Sequence, residues 1–275
     1  MCIYGVINID MINSRKLSNR SNIQSDLKNY IRLVNSNYQK YLLAPITITL
    51  GDEWQIVVKD LSKSYKFVEL FQKFLEKYEV DIYAGIGVGT LSTEIYEDTR
   101  LMDGECFIKA REALDIVKDN NRFYQKLLHS NVNNVFFKGS EIFIHKLDTV
   151  TDDSRKEYAF DEVAASMVIA DSLDCFGDSN NYSDDVSLNM IINALIENTE
   201  VLKRRITKKQ FEIIELYKKE GSYNNIIKKN PNISKASISQ KLHASNYFLI
   251  ENNRLIIDKL FKVYHEIRKG NKNEI

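Results

Sequence analysis

The sequence predicts an α/β domain followed by an all-α domain. Three observations carry that prediction. Between residues 2 and 117, stretches with period-two apolar patterning alternate with stretches of helical periodicity. Residues 148–200 hold thirteen acids against two bases, a net of −11, whereas Lys203–His243 holds eleven bases against three acids, a net of +8. From Thr207 onward, short apolar-periodic segments each begin at Thr or Ser, the residues that cap helix starts. The expected organisation is an α/β domain over residues 1–150, an acidic connecting segment over 151–185, and a helical domain over 186–270.

In order along the chain, residues 2–9 read as a buried strand ending at Asp10. A helix is expected from about Asn22 to Tyr41, with Ile23, Leu27, Ile31 and Val34 on one stripe. Pro45–Val58 then reads as a hairpin, two β-branched runs around Gly51-Asp52-Glu53, with Gly51 taking the positive φ. A second helix is expected over 62–78, with Trp54 and the helix aromatics in the core. The run from Val80 to Leu91 reads as a strand whose three glycines, Gly85, Gly87 and Gly89, permit close backbone approach to a strand or a ligand. A helix over 105–117 follows, then two short strands at 135–137 and 142–144. This order makes a sheet layered with helices.

A further helix is expected from Val186 to Lys203, and Gly177–Asp185 reads as a linker. Thr207 starts a helix that stops at Gly221, Ser222 starts a short one, and Ser234 starts a third with Ile238, Leu242 and Leu249 at core positions. The turn at Asn230-Pro231-Asn232 requires Asn232 in the left-handed conformation. Two short helices joined this way form a helix-turn-helix, resembling that of sigma-factor and response-regulator output domains. Lys235, Ser237, Ser239, Gln240 and Lys241 fall on its outer surface. Gln reads adenine edges, and Ser and Lys reach bases or phosphates, so double-stranded DNA is the expected partner.

Composition narrows the remaining classes. Basic and acidic residues balance at 38 each, and the three cysteines fit neither a disulfide frame nor a zinc site. No run approaches the ~18 apolar residues of a membrane helix, and Met1–Asp10 lacks the pattern of a signal peptide. A cytoplasmic protein with no membrane partner is expected. Cys106 lies at a helix start, where packing is the expected role.

Asp10 closes the first strand and Asp52 sits on the hairpin turn. If the hairpin pairs beside that strand, both carboxylates reach one sheet edge and can hold Mg²⁺ or Mn²⁺ with phosphate oxygens. With the strand order, Gly51-Asp52-Glu53-Trp54 resembles the signature of GGDEF diguanylate cyclases, and Asp10 the strand-end metal ligand of these and of class III nucleotide cyclases. The resemblance implies a ferredoxin-like palm, catalytic roles for Asp10, Asp52 and Arg111, and a nucleoside triphosphate or other nucleotide contacted by Asn13, Ser14, Arg15, Gly51 and Glu53. Leu50 replaces the second signature glycine, and Phe107 stands where the cyclases have an Asn.

A wider resemblance takes in Asn8–Arg15, Thr47–Glu53, Gly85–Gly89, Asp103-Gly104, Ala110–Leu114 and the terminal helices, which together are similar to the SatD family. It implies a cyclase-like palm with a DNA-binding tail, and a homodimer by analogy with two-fold operators and with cyclases. Three functions are expected to compete: a nucleotide-sensing DNA regulator, an active nucleotidyl cyclase or oligonucleotide synthase, and a palm serving only as a dimerisation scaffold.

Overall fold

The computed structural model describes residues 2–118, 130, 133–146, 165–170 and 186–270. The linker expected at 177–185 lies outside them, as does most of the acidic segment.

The N-terminal unit runs β1 (Tyr4–Met11), α1 (Arg20–Tyr38), β2 (Thr47–Leu50), β3 (Glu53–Val58), α2 (Ser64–Glu76), β4 (Ile82–Gly89), α3 (Glu105–Lys118) and β5 (Val135–Lys138). Its five strands lie in the order β2-β3-β1-β4-β5. All neighbours are antiparallel except β4 and β5. A second sheet follows from β6 (Glu141–Lys146), β7 (Ala165–Ala170) and β8 (Val186–Ser187), with β6 central.

Pleating sends alternate residues to opposite faces. Ile7, Ile9 and Met11 of β1, Trp54, Ile56 and Val58 of β3, and Ile82, Ala84, Ile86 and Val88 of β4 fill one large core with α1 and α2. The other face carries α3, which sits directly on β4, with Ala44 and Met102 packed beside it against Val6 and Val57. A Cβ on Gly85 would lie 2.2 Å from the Leu114 amide nitrogen, and one on Gly87 2.1 Å from that of Ala110. The β4 glycines therefore serve a helix, rather than the strand or ligand expected from the sequence. The polar positions of β1 and β3, Asn8, Asp10, Glu53 and Gln55, lie on this same face, three of them buried.

The C-terminal helices are α4 (Leu188–Arg204), α5 (Lys208–Glu220), α6 (Tyr223–Lys229), α7 (Lys235–Ala244) and α8 (Tyr247–Gly270). Ser187 caps α4, its hydroxyl accepting from the Met190 amide at 3.2 Å, so the helix starts two residues later than expected. Gly221 ends α5 at φ 71°. Ile213, Ile214, Ile226, Ile238 and Leu242 form a small core among α5, α6 and α7.

Three expectations are corrected. Gly51 is not a left-handed residue, and the hairpin is accommodated by an irregularity between Ile48 and Leu50. Asn232 is not left-handed either; Asn246 is, at φ 54°, and it separates α7 from a long α8 that periodicity did not resolve. Leu249, expected in the core of the third helix, lies on α8 and is 49% exposed.

α4 and α8 join the two halves. Leu188, Ile192 and Ile196 of α4 and Ile257, Phe261 and Tyr264 of α8 enter the same core as the sheet. The Phe261 ring meets Phe137 of β5 edge-on, centroids 5.1 Å apart. Polar contacts reinforce this seam. Buried Glu200 of α4 accepts from Tyr65 Oη at 2.7 Å, Gln72 Nε2 at 3.0 Å and Lys203 Nζ at 2.7 Å. Burial alone would raise the Glu200 carboxyl, but Lys203 and these donors outweigh it and hold it below its ordinary value. Arg254 of α8 reaches Glu69 of α2 at 2.5 Å, and Lys63 reaches Asp258 at 3.1 Å.

Candidate functional site

The α3 side of β1 and β3 carries two polar cross-strand pairs. Asp10 lies opposite Glu53, and Asn8 opposite Gln55. The Gln55 amide donates to Asn8 Oδ1 at 2.8 Å, with Asn8 only 1% exposed and Gln55 7%. Burying two amides in an otherwise apolar sheet is costly unless they bond, and they bond to each other.

α3 supplies the cations. Arg111 and Lys118 stand seven residues apart, two turns along one helix face. Arg111 holds Glu53 through both oxygens, at 3.1 and 2.8 Å. Lys118 Nζ lies 2.7 Å from Asp10 Oδ2 and 3.7 Å from Glu53 Oε2, an ammonium between two carboxylates. Thr49 Oγ1 adds a 3.2 Å bond to Glu53 Oε1. Burial acts to raise the Glu53 carboxyl, but Arg111 first and then Lys118 outweigh it, holding Glu53 below its ordinary value. Arg111 is raised in return, chiefly by its hydrogen bonds to Glu53. Beside this cluster an open cleft of about 340 Å³ is lined by Asn8, Gln55, Asp103, Phe107, Ile108, Arg111 and Glu112.

Asp52 turns elsewhere. Its carboxylate accepts from the Ser14 hydroxyl and lies 3.8 Å from the Arg20 guanidinium, at the start of α1. Its backbone carbonyl accepts from the Met11 amide at 3.1 Å, and that of Gly51 from Gln24 Nε2 at 2.7 Å. Asn13 is left-handed at φ 54°, which tucks Ser14 inward at 3% exposure and leaves Arg15 exposed. The structure thus forms two adjacent clusters, Asp10 with Glu53 and Asp52 with Ser14. Their backbones touch, but among the described residues Asp10 and Asp52 share no side-chain partner. Glu53 is the first residue of β3 and pairs with Asp10 across the strands, whereas Asp52 lies in the turn before it.

Among the described residues no three acids, histidines or cysteines gather as a metal-binding group. Asp10 and Glu53 nonetheless offer the hard oxygens that Mg²⁺ takes in pairs, with water and phosphate completing the shell. They fit such an ion where the Lys118 ammonium now lies.

The model of the SatD family matches residues 4–143. The chain belongs to the SatD family. No curated protein matches it. The SatD match runs from β1 into β6 and so contains Asp10, Asp52, Glu53, Arg111 and Lys118, whereas α4–α8 lie beyond it.

Beyond the SatD match, each of the three short helices is capped. Thr207 and Gln210 form a reciprocal capping box. Ser222 accepts from the Asn225 amide at 3.2 Å, and Ser234 from the Ser237 amide at 3.1 Å. On α7, Lys235 and Gln240 are exposed, while Ser237 and Ser239 are half-buried. Lys241 is half-buried too, its ammonium donating to Ser237 Oγ at 2.8 Å. Cys106 is fully buried against the sheet, and burial pushes its thiol up to about 12, so packing accounts for it.

Sequence reasoning missed Asn8, Gln55 and Lys118. The signals were polar residues at alternate positions of otherwise apolar strands, and a lysine seven residues beyond Arg111.

Proposed function

We propose that this SatD-family chain is a DNA-binding regulator whose N-terminal unit is a ferredoxin-like palm that binds a nucleotide with Mg²⁺ or Mn²⁺. The observation that carries the proposal is the paired arrangement under α3: two carboxylates, two cations and a buried amide pair along one cleft. A metal–triphosphate would bring a cation to Asp10 and Glu53 and an anion to Arg111 and Lys118, so each charge exchanges one partner for another. The Asn8 and Gln55 amides keep a donor and an acceptor for the edge of a base, and Phe107 supplies an apolar wall.

Three further features support the palm and the reader. The order β2-β3-β1-β4, built as two β-α-β crossovers, is that of a ferredoxin-like unit. α6 and α7, both Ser-capped and joined by a short turn, suit a helix-turn-helix, with Lys235 and Gln240 of α7 outward for phosphate and base contacts. Because α4 and α8 are packed into the palm core, a shift of the sheet would move the reader, and a two-fold operator would call for a homodimer.

The Lys118–Asp10 and Arg111–Glu53 pairs must open for a nucleotide to bind whether or not turnover follows, and Phe107 in place of the cyclase Asn favours sensing over turnover. Calorimetric titration with each of the four nucleoside triphosphates and Mg²⁺, alongside a pyrophosphate-release assay, tests this. Binding that Arg111→Ala weakens at least tenfold, without pyrophosphate release, is expected. Turnover abolished by Asp10→Asn would make the chain an enzyme. No binding by any of the four would leave a scaffold.

A further inference from the structure

α8 is apolar on two sides. Its inner side, Ile250, Ile257, Phe261 and Tyr264, is buried. Its outer side leaves Phe248 42%, Leu249 49%, Leu255 61%, Ile256 37% and Val263 39% exposed. These are five of the thirteen exposed large apolar residues among those described, gathered on one helix, where scattered single exposures would need no explanation. They also repeat at seven: Leu249, Ile256 and Val263 form one series, Phe248 and Leu255 another. A seven-residue apolar repeat keeps a stripe turned toward a helical partner along its whole length. Asn252, Lys259, Lys262 and Glu266 complete the exposed side.

We infer that this stripe binds a second copy of the chain, α8 against α8, antiparallel. Self-complementarity selects the occupant. With the two-fold between Leu255 and Ile256, Leu255 faces the partner's Ile256, Phe248 faces the partner's Val263, Asn252 faces the partner's Lys259, and Leu249 faces the partner's Lys262. The central residues meet apolar to apolar, an amide oxygen meets an ammonium, and Leu249 packs on the methylene stem of Lys262. A parallel pair would set Lys259 against the partner's Lys259, a like-charge contact. In the antiparallel register Tyr247 lies level along the axis with the partner's Tyr264, which stays in its own core. At 1.5 Å per residue the two α7–α8 junctions are then about 26 Å apart along the axis. With α7 preceding each junction, that is compatible with half-sites ~34 Å apart on one face of a duplex. The interface stands independently of the nucleotide reading, because the mass of the particle is read without nucleotide or DNA.

The test is sedimentation equilibrium of the full chain at micromolar concentration. Twice the 32.0 kDa chain mass is expected. Leu255→Glu with Ile256→Glu, at exposed positions, should give a folded monomer whose melting temperature no longer depends on protein concentration. Asn252→Lys should weaken the dimer by at least tenfold, and adding Lys259→Glu should restore it. That rescue is specific to the antiparallel register and would not arise from a segment of the same chain lying over the stripe. A wild-type monomer, a dimer indifferent to the glutamates, or an Asn252→Lys defect that Lys259→Glu does not repair would each overturn the inference.

Discussion

Truncating Phe261 to Ala tests whether the C-terminal helices belong to the sheet's core. The ring is fully buried, stands edge-on to Phe137 of β5, and lies in one cluster with Ile192 of α4 and Ile86 of β4. Removing a buried phenyl ring costs about 3–5 kcal/mol, through lost transfer energy and the cavity left behind. Trp54, the single tryptophan, is fully buried on β3, so its fluorescence reports the sheet and not the helices. With a urea slope of about 2–3 kcal/mol/M for a chain of this size, the Trp54 midpoint should fall by roughly 1–2 M. Far-UV circular dichroism should fall with it in one transition. If the Trp54 midpoint stays put while the helical signal melts earlier, the two halves have separate cores and the proposed coupling has no physical route.

Gly87→Ala forces a Cβ to within 2.1 Å of the Ala110 amide nitrogen. It should cost about 3 kcal/mol or more in the same urea assay, because backbone cannot step aside as a side chain can. Ser234→Ala removes the α7 cap and should cost about 1 kcal/mol; hydrogen exchange should show α7 opening more readily while the Trp54 transition stays unmoved. The third concerns acid. Glu53 titrates below its ordinary value in the fold, so its contribution is fully present above the unfolded value of about 4.3 and is lost as pH falls through the lower folded value. The melting temperature of the wild type should therefore fall more steeply through that window than that of Glu53→Gln. Parallel profiles would refute the Arg111–Glu53 bond as the cause.

Much of the N-terminal unit was legible because Ile7, Ile9, Trp54, Ile56 and Ile86 sit at strand period and Ile23, Leu27 and Val34 at helical period. The caps at Thr207, Ser222 and Ser234 were legible for the same reason: a hydroxyl before an apolar-periodic run has a local function. What misled was distance along the chain. Asp10 and Asp52 looked like partners because a hairpin brings their backbones together. The parity of β3 turns Glu53 toward α3, and that parity was readable from Trp54 and Ile56 facing the α1 and α2 core. α8 was missed for a different reason. With apolar residues on two sides it lacks the polar face that marks a surface helix, and its start depends on one left-handed Asn246 that no glycine announces.

Under the proposed function, a ligand under α3 alters what α7 does to DNA. Anisotropy titration of a labelled mixed-sequence duplex, at two salt concentrations and with or without the nucleoside triphosphate that binds with Mg²⁺, measures this directly. Affinity should fall with salt and change several-fold on adding nucleotide, with no such change in Arg111→Ala. Binding curves that superimpose with and without nucleotide would contradict it.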